Sequence, residues 1–290
     1  MMEGIAMQKN QTGKTSMKSF KRGMVVAIAL LTVGTTAYAA PNAENFKMFF
    51  GKKANVAEQS KSVINETQVV DGIKMTVEES IIGGNSAIIM ATFEKEDGST
   101  FPQDAVIQAP ELKWSKDASY MVEQHITEDG QKIITMFDVD TAKSIDGHKV
   151  TITADAIVHA QTEDIISKGP FKNVFIAQES SKSHVEEMDM RLLLQAEELE
   201  LHDVTISALG IGIEGKRING NVDELPQNSP NIFLTTTDGM VIELHLGSTS
   251  TTDIGFSWNY NLDRNGNRIF LDVETIKSIT IENEIIQVTQ

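Results

Sequence analysis

Ile254-Gly-Phe-Ser-Trp-Asn-Tyr-Asn-Leu262 alternates apolar with small or polar residues without a break, and Asn265-Gly266 follows it. A period of two sets Ile254, Phe256, Trp258, Tyr260 and Leu262 on one face of an extended strand, the most apolar face in the chain. Asn-Gly suits a type I′ turn, in which both central residues need φ > 0, so Ile269–Val273 reads as the returning strand. The same grammar spreads outward. Ile232–Thr236, Asp238-Gly239 and Met240–Leu246 read as a hairpin, and Ile276, Ile279, Ile281 and then Ile285–Val288 close the chain. Nearer the N-terminus, Ile73, Met75 and Val77 alternate with Lys74, Thr76 and Glu78. Ala87–Phe93 is apolar on both faces, as in a central strand, and further strands are expected at Met121–Thr127, Lys132–Asp140, His148–Val158 and Phe171–Ala177.

Met190–Glu200 has helical propensity, but a long strand suits its neighbours better. The apolar phase slips by one residue between Leu199/Leu201 and Val204/Ile206/Ala208, the mark of a β-bulge. Strands at this spacing with Gly/Asp turns predict an all-β fold of two tandem immunoglobulin-like β-sandwiches, at 62–180 and 185–290. A polar linker is expected at 41–61.

The chain of 290 residues carries 25 Lys+Arg and 41 Asp+Glu, a net −16, with no cysteine. Without cysteine there are no disulfides, thiolate metal sites or cysteine catalysis. The acidic balance argues against nucleic acid as a partner. The first 39 residues hold five bases and one acid, and the rest hold 20 bases and 40 acids. A basic head before an acidic body fits a chain oriented across a membrane. Residues 1–23 form the basic n-region, and 24–40 form either a signal-peptide h-region or a single membrane anchor. Ala37-Tyr-Ala39 offers the small-x-small cleavage pattern, and a cut after Ala39 leaves Ala40-Pro41 as the new terminus. Met7 and Met17 are alternative starts. Either way the body is expected outside the cytoplasm, tethered or secreted.

The segments Val69-Val-Asp-Gly-Ile-Lys-Met-Thr-Val-Glu-Glu79, Ile88-Ile-Met-Ala-Thr-Phe93, Leu234-Thr-Thr-Thr-Asp-Gly-Met-Val-Ile-Glu243 and Val273-Glu-Thr-Ile-Lys-Ser-Ile-Thr-Ile-Glu282 follow the basic head and membrane-entry stretch. In this order they resemble a domain-of-unknown-function family of Gram-positive bacteria. Its members carry immunoglobulin-like β domains on the outer side of single-span, anti-sigma-factor-like membrane proteins. The resemblance covers roughly residues 24–290, rests on strand patterns and turns, and brings no catalytic residues with it. It implies an extracytoplasmic sensory or interaction module. The head is too short to fold a sigma-binding domain of its own.

Chemistry is sparse. The six histidines form no H-x-x-x-H or H-E-x-x-H, and no G-x-S-x-G elbow occurs. His184-Val-Glu-Glu187 offers two metal ligands within a linker, His202-Asp203 adjoins the expected bulge, and Asp138 and Asp140 share a strand face. Asn261, Asp263, Asn265, Gly266 and Asp272 fall at positions 1, 3, 5, 6 and 12 of a calcium loop. Asn replaces the first carboxylate, Asp replaces the bidentate Glu, and the flanks read as strands, so a hairpin turn is preferred over a calcium site. Trp258 reads as core; Trp114 has no evident place. No cofactor is expected. The expected function is non-enzymatic, with an envelope protein or cell-wall component as partner. A secreted surface or wall-binding structural protein and a hydrolase of unrecognised type are the alternatives.

Overall fold

The protein is described by a computed structural model covering residues 7–8, 44–51, 59–116, 118–219, 224–264 and 267–288. The export segment at 24–40, with Ala37, Ala39 and Ala40, lies outside the described residues. Among them no helix is long and apolar enough to cross a membrane.

The first part of the chain forms β1 (Met7–Gln8), α1 (Glu44–Phe50), β2 (Ser62–Val70), β3 (Ile73–Gly83), β4 (Ser86–Lys95), β5 (Ala105–Gln108), β6 (Glu111–Lys113), β7 (Ala118–Ile126), β8 (Lys132–Thr141), β9 (Lys149–His159) and β10 (Ile165–Ile176). One antiparallel sheet runs β1-β7-β8-β4-β3-β2, and a second runs β10-β9-β5 with β6 also on β9. The β2–β3 turn uses Asp71 and Gly72, both at positive φ (51° and 72°), as a tight hairpin demands. The inward rows of the two sheets share one core. Met75, Val77, Ile89, Phe93, Ile133 and Phe137 come from the first sheet, and Ile107, Val150, Ile152, Phe171 and Phe175 from the second. Trp114 follows β6, packs half-buried against this core, and sets its ring edge-on to His148 at 5.5 Å.

The remainder forms β11 (His184–Leu194), β12 (Glu197–Ser207), β13 (Gly210–Arg217), β14 (Ile232–Thr236), β15 (Val241–Thr251), β16 (Phe256–Arg264), β17 (Asn267–Ile269), β18 (Ile276–Ile281) and β19 (Glu284–Gln287). These make one nine-stranded antiparallel sheet in the order β11-β12-β13-β16-β15-β14-β18-β19, with β17 on β16. The expected second two-sheet sandwich is therefore corrected to a single sheet curled into a half-barrel. The reason lies in β15. Its first residues, Val241–Leu244, pair with β14, and His245–Thr251 pair with β16. Its register slips between Leu246 and Ser248, around Gly247. A strand that turns this corner joins what would otherwise be two sheets. The concave side holds the core: Leu199, Leu201, Val204, Ile213, Leu234, Phe256, Trp258, Ile279 and Ile281.

Several local expectations are refined. Met190–Glu200 is neither a helix nor one strand but the end of β11, a turn at Gln195 (φ 55°) and the start of β12. The predicted slip is present, with a register shift between Leu201 and Asp203 that puts Leu201 and Val204 on the same buried face. Ile254 lies before β16 and is 59 % exposed. The returning strand is short: after Ile269, Phe270 and Leu271 leave the ladder for two different apolar clusters.

Candidate functional site

A third buried apolar cluster lies where the half-barrel region meets the first sheet. β4 is apolar on both faces. Ala87, Ile89, Ala91 and Phe93 face the first core, and Ile88 and Met90 face the other way. That second face is not left to water. Phe46 of α1 sits on it with Ile81, Ile134 and Met136 of the first sheet and with Leu209 and Phe270 from the half-barrel region. Phe46 is fully buried and stacks on Phe50, Phe50 meets Phe270 edge-on at 4.9 Å, and Phe49 meets His125 at 4.7 Å. A seven-residue helix is too short to persist alone, so α1 is held by this packing; the chain turns out of it at Gly51, φ 57°. The sequence reading assigned 41–61 to a linker. Phe46, Phe49 and Phe50 are the sequence signal that part of it docks.

Polar groups complete the joint. Lys61 and Glu79 form a buried ion pair, 2.7 Å apart with 6 % and 2 % of their side chains exposed. Asn45 donates from α1 to Glu78, which also accepts from Thr92 at 2.7 Å. Asn85, at the β3–β4 turn, donates to Ser257 Oγ at 3.3 Å, and Asn259 Nδ2 donates to the Thr141 carbonyl at 3.2 Å. The connector at 177–183 is bound as well. Ser180 and Ser181 amides donate to the Ile82 carbonyl at 3.1 Å, and the Gly84 amide donates to Ser183 Oγ at 3.2 Å. This approach needs Gly83, where a β-carbon would lie 2.7 Å from Ser207 Cβ. At the rim, Asp253 accepts from Lys143 at 3.0 Å, which holds its carboxyl below the usual range.

Three carboxylates line up across the outer face of the half-barrel: Glu187 opposite Asp203, and Asp203 opposite Glu214. Partial burial, and then the negative charge of Asp203, push the Glu214 carboxyl above the ordinary glutamate range, against a hydrogen bond from Asn85. A carboxyl with a raised folded pKa stabilises fully below its unfolded pKa, and that contribution is lost as pH rises through the folded value. Glu214→Gln is therefore expected to melt higher than the parent at pH 7 and no higher below the glutamate range. Equal melting temperatures for the two chains across pH 4–7.5 would refute this.

The histidines are dispersed. His159 lies 3.0 Å from Asp104, His184 2.7 Å from Glu186, His125 3.0 Å from Glu123 and His202 3.8 Å from Glu200. His202 sits at the bulge, and Asp203 next to it lies opposite Glu187 on one side and Glu214 on the other. Asp140 accepts from Ser86 at 2.7 Å on the outer row it shares with Asp138. Among the described residues no group of three or more His, Cys, Asp or Glu could hold a metal. Of the calcium-loop candidates, Asn261 and Asp263 lie in β16, where the backbone pairs Asp263 with Arg268. Asn265 is outside the described residues, and Asp272 precedes a single 3-10 turn at Val273–Thr275. Trp258 and Tyr260 are core residues, and the Tyr260 hydroxyl donates to the Pro230 carbonyl at 2.9 Å.

A polar niche of about 60 Å³ is lined by Ala196, Glu197, Glu198, Arg217 and Asn219, far below the roughly 300 Å³ of a small-molecule site. Sheet edges offer more. β2 ends the first sheet with Val63 and Val69 each 49 % exposed, and β11 ends the half-barrel with Val185, Glu187, Asp189, Arg191 and Leu193 all exposed.

No protein-family model matches the chain. No curated protein matches it. Among solved structures it is similar to the crystal structure of the conserved domain protein from Bacillus anthracis. The TM-score is 0.50 at 12 % identity, over 85 % of this chain and 94 % of that one. At that identity the likeness carries the fold alone.

Proposed function

We propose that the chain is a non-enzymatic interaction or sensory module of the bacterial envelope, working outside the cytoplasm. It is tethered by residues 24–40 or released by cleavage after Ala39. The observation that carries this reading is the edge strand β11, eleven residues long, which among the described residues pairs on one side alone and exposes alternate residues from Val185 to Leu193. A free edge recognises another chain through main-chain hydrogen bonds, with alternate side chains supplying selectivity. The basic head and the strongly acidic body support an outward orientation. The two facing sheets of the first unit support reading that unit as immunoglobulin-like, and the resemblance to the outer domains of anti-sigma-factor-like proteins supports a signalling context. The acidic body favours a partner that is basic or bridged by cations.

The test uses the purified chain as bait for envelope extracts at low and high salt, beside a panel of hydrolase substrates. A salt-sensitive envelope partner without turnover is the expected result. Turnover that disappears when one of the clustered acids or histidines is replaced would refute the binding reading.

A further inference from the structure

We infer that the β11 edge is an interface with a second copy of this chain, the two strands running antiparallel about a two-fold axis at Asp189. This rests on the reading above that the module acts through its sheet edges, and it names the partner of one edge. The outward row of β11 is Val185, Glu187, Asp189, Arg191 and Leu193. An antiparallel copy centred on Asp189 sets Val185 against Leu193 of the second copy and Glu187 against its Arg191, each twice by symmetry. Val185 and Leu193 are 56 % and 66 % exposed, one at each end of the outward row. Pairing them covers the facing flank of each, since directly opposed β-carbons stand only about 5 Å apart.

Charge supplies the second argument. Within its own chain Glu187 faces Asp203, which in turn faces Glu214, a row of like charges directly opposed across three strands. Opposed like charges destabilise a ladder. An arginine arriving from outside next to Glu187 neutralises the end of that row, and the second copy brings Arg191 there. Arg191 faces Glu200 within its own chain, so it enters the interface between two carboxylates. The Asp189 pair on the axis opposes association and offers a handle on it. The arrangement is isologous and closes after two copies, so it yields a dimer and not a fibre.

The test uses the full-length chain, whose lack of cysteine makes single thiols unambiguous. Asp189→Cys places one thiol from each copy on the axis and is expected to give a disulfide-linked dimer on mild oxidation. Glu243→Cys, exposed on β15, measures random collision. Adding Arg191→Glu turns both charge contacts repulsive and is expected to lower the linked fraction about tenfold. Adding Glu187→Arg as well exchanges the charges and is expected to restore it. Asp189→Cys linking no faster than Glu243→Cys would overturn the dimer, and so would a charge reversal that leaves linkage unchanged in chains with unaltered circular dichroism. Capture of an envelope partner by a chain that never cross-links would overturn the dimer alone. Cross-linking without any captured partner would count against the envelope reading alone.

Discussion

Trp258→Ala is expected to cost about 3–5 kcal/mol, the usual range for emptying a buried aromatic site. Trp258 is fully buried at the centre of the half-barrel core, with the Phe256 ring 4.4 Å away. The cluster that holds it draws residues from β12, β13, β14 and β18, strands held in one hydrogen-bonded sheet, so the core cannot collapse into the space without shifting the ladder. The loss is a large share of the 5–15 kcal/mol that stabilises an ordinary domain. The chain has two tryptophans, and the variant keeps Trp114 as a reporter on the first core. Denaturant unfolding followed by Trp114 fluorescence and by circular dichroism should therefore separate, with the half-barrel melting first. A loss below about 1 kcal/mol would show that the core does not depend on this residue.

Lys61→Met is the second large effect, about 3–5 kcal/mol, because it removes the cation 2.7 Å from a carboxylate whose side chain is 2 % exposed. Glu79 lies at the register shift in β3, beneath the region covered by α1, and Lys61 Nζ stands 5.9 Å from the Phe46 ring centroid. The loss should therefore appear as undocking of α1 as well as a lower midpoint. Lys61→Met with Glu79→Leu removes both charges and is expected to recover most of the stability, since a buried ion pair is often matched by apolar residues of similar volume. A double variant as unstable as the single would mean that the site serves packing and not charge compensation. Hydrogen exchange at Phe46–Phe50 locates the effect directly.

Strand positions were legible wherever the pleat leaves one face wet. The alternation of Phe256, Trp258 and Tyr260 and the slip between Leu201 and Val204 survive into the structure because a one-residue shift would turn every apolar side chain outward. Glu78 illustrates the limit. It reads as the solvent side of a half-buried strand, yet it accepts hydrogen bonds from Asn45 and Thr92 under α1. The histidines, scattered in sequence, remain scattered in the fold.

What the sequence by itself determined is the all-β character, the strand and turn positions and the charge asymmetry, all properties of local period and composition. Tertiary structure alone decided what covers the second face of β4, which of the β-rich regions closes as facing sheets and which curls into one sheet, and where α1 lies. Those outcomes depend on partners tens to hundreds of residues away, such as Phe46 with Phe270 or Asn85 with Ser257. Local pattern records that a face is apolar; only the packed chain determines which distant surface removes it from water.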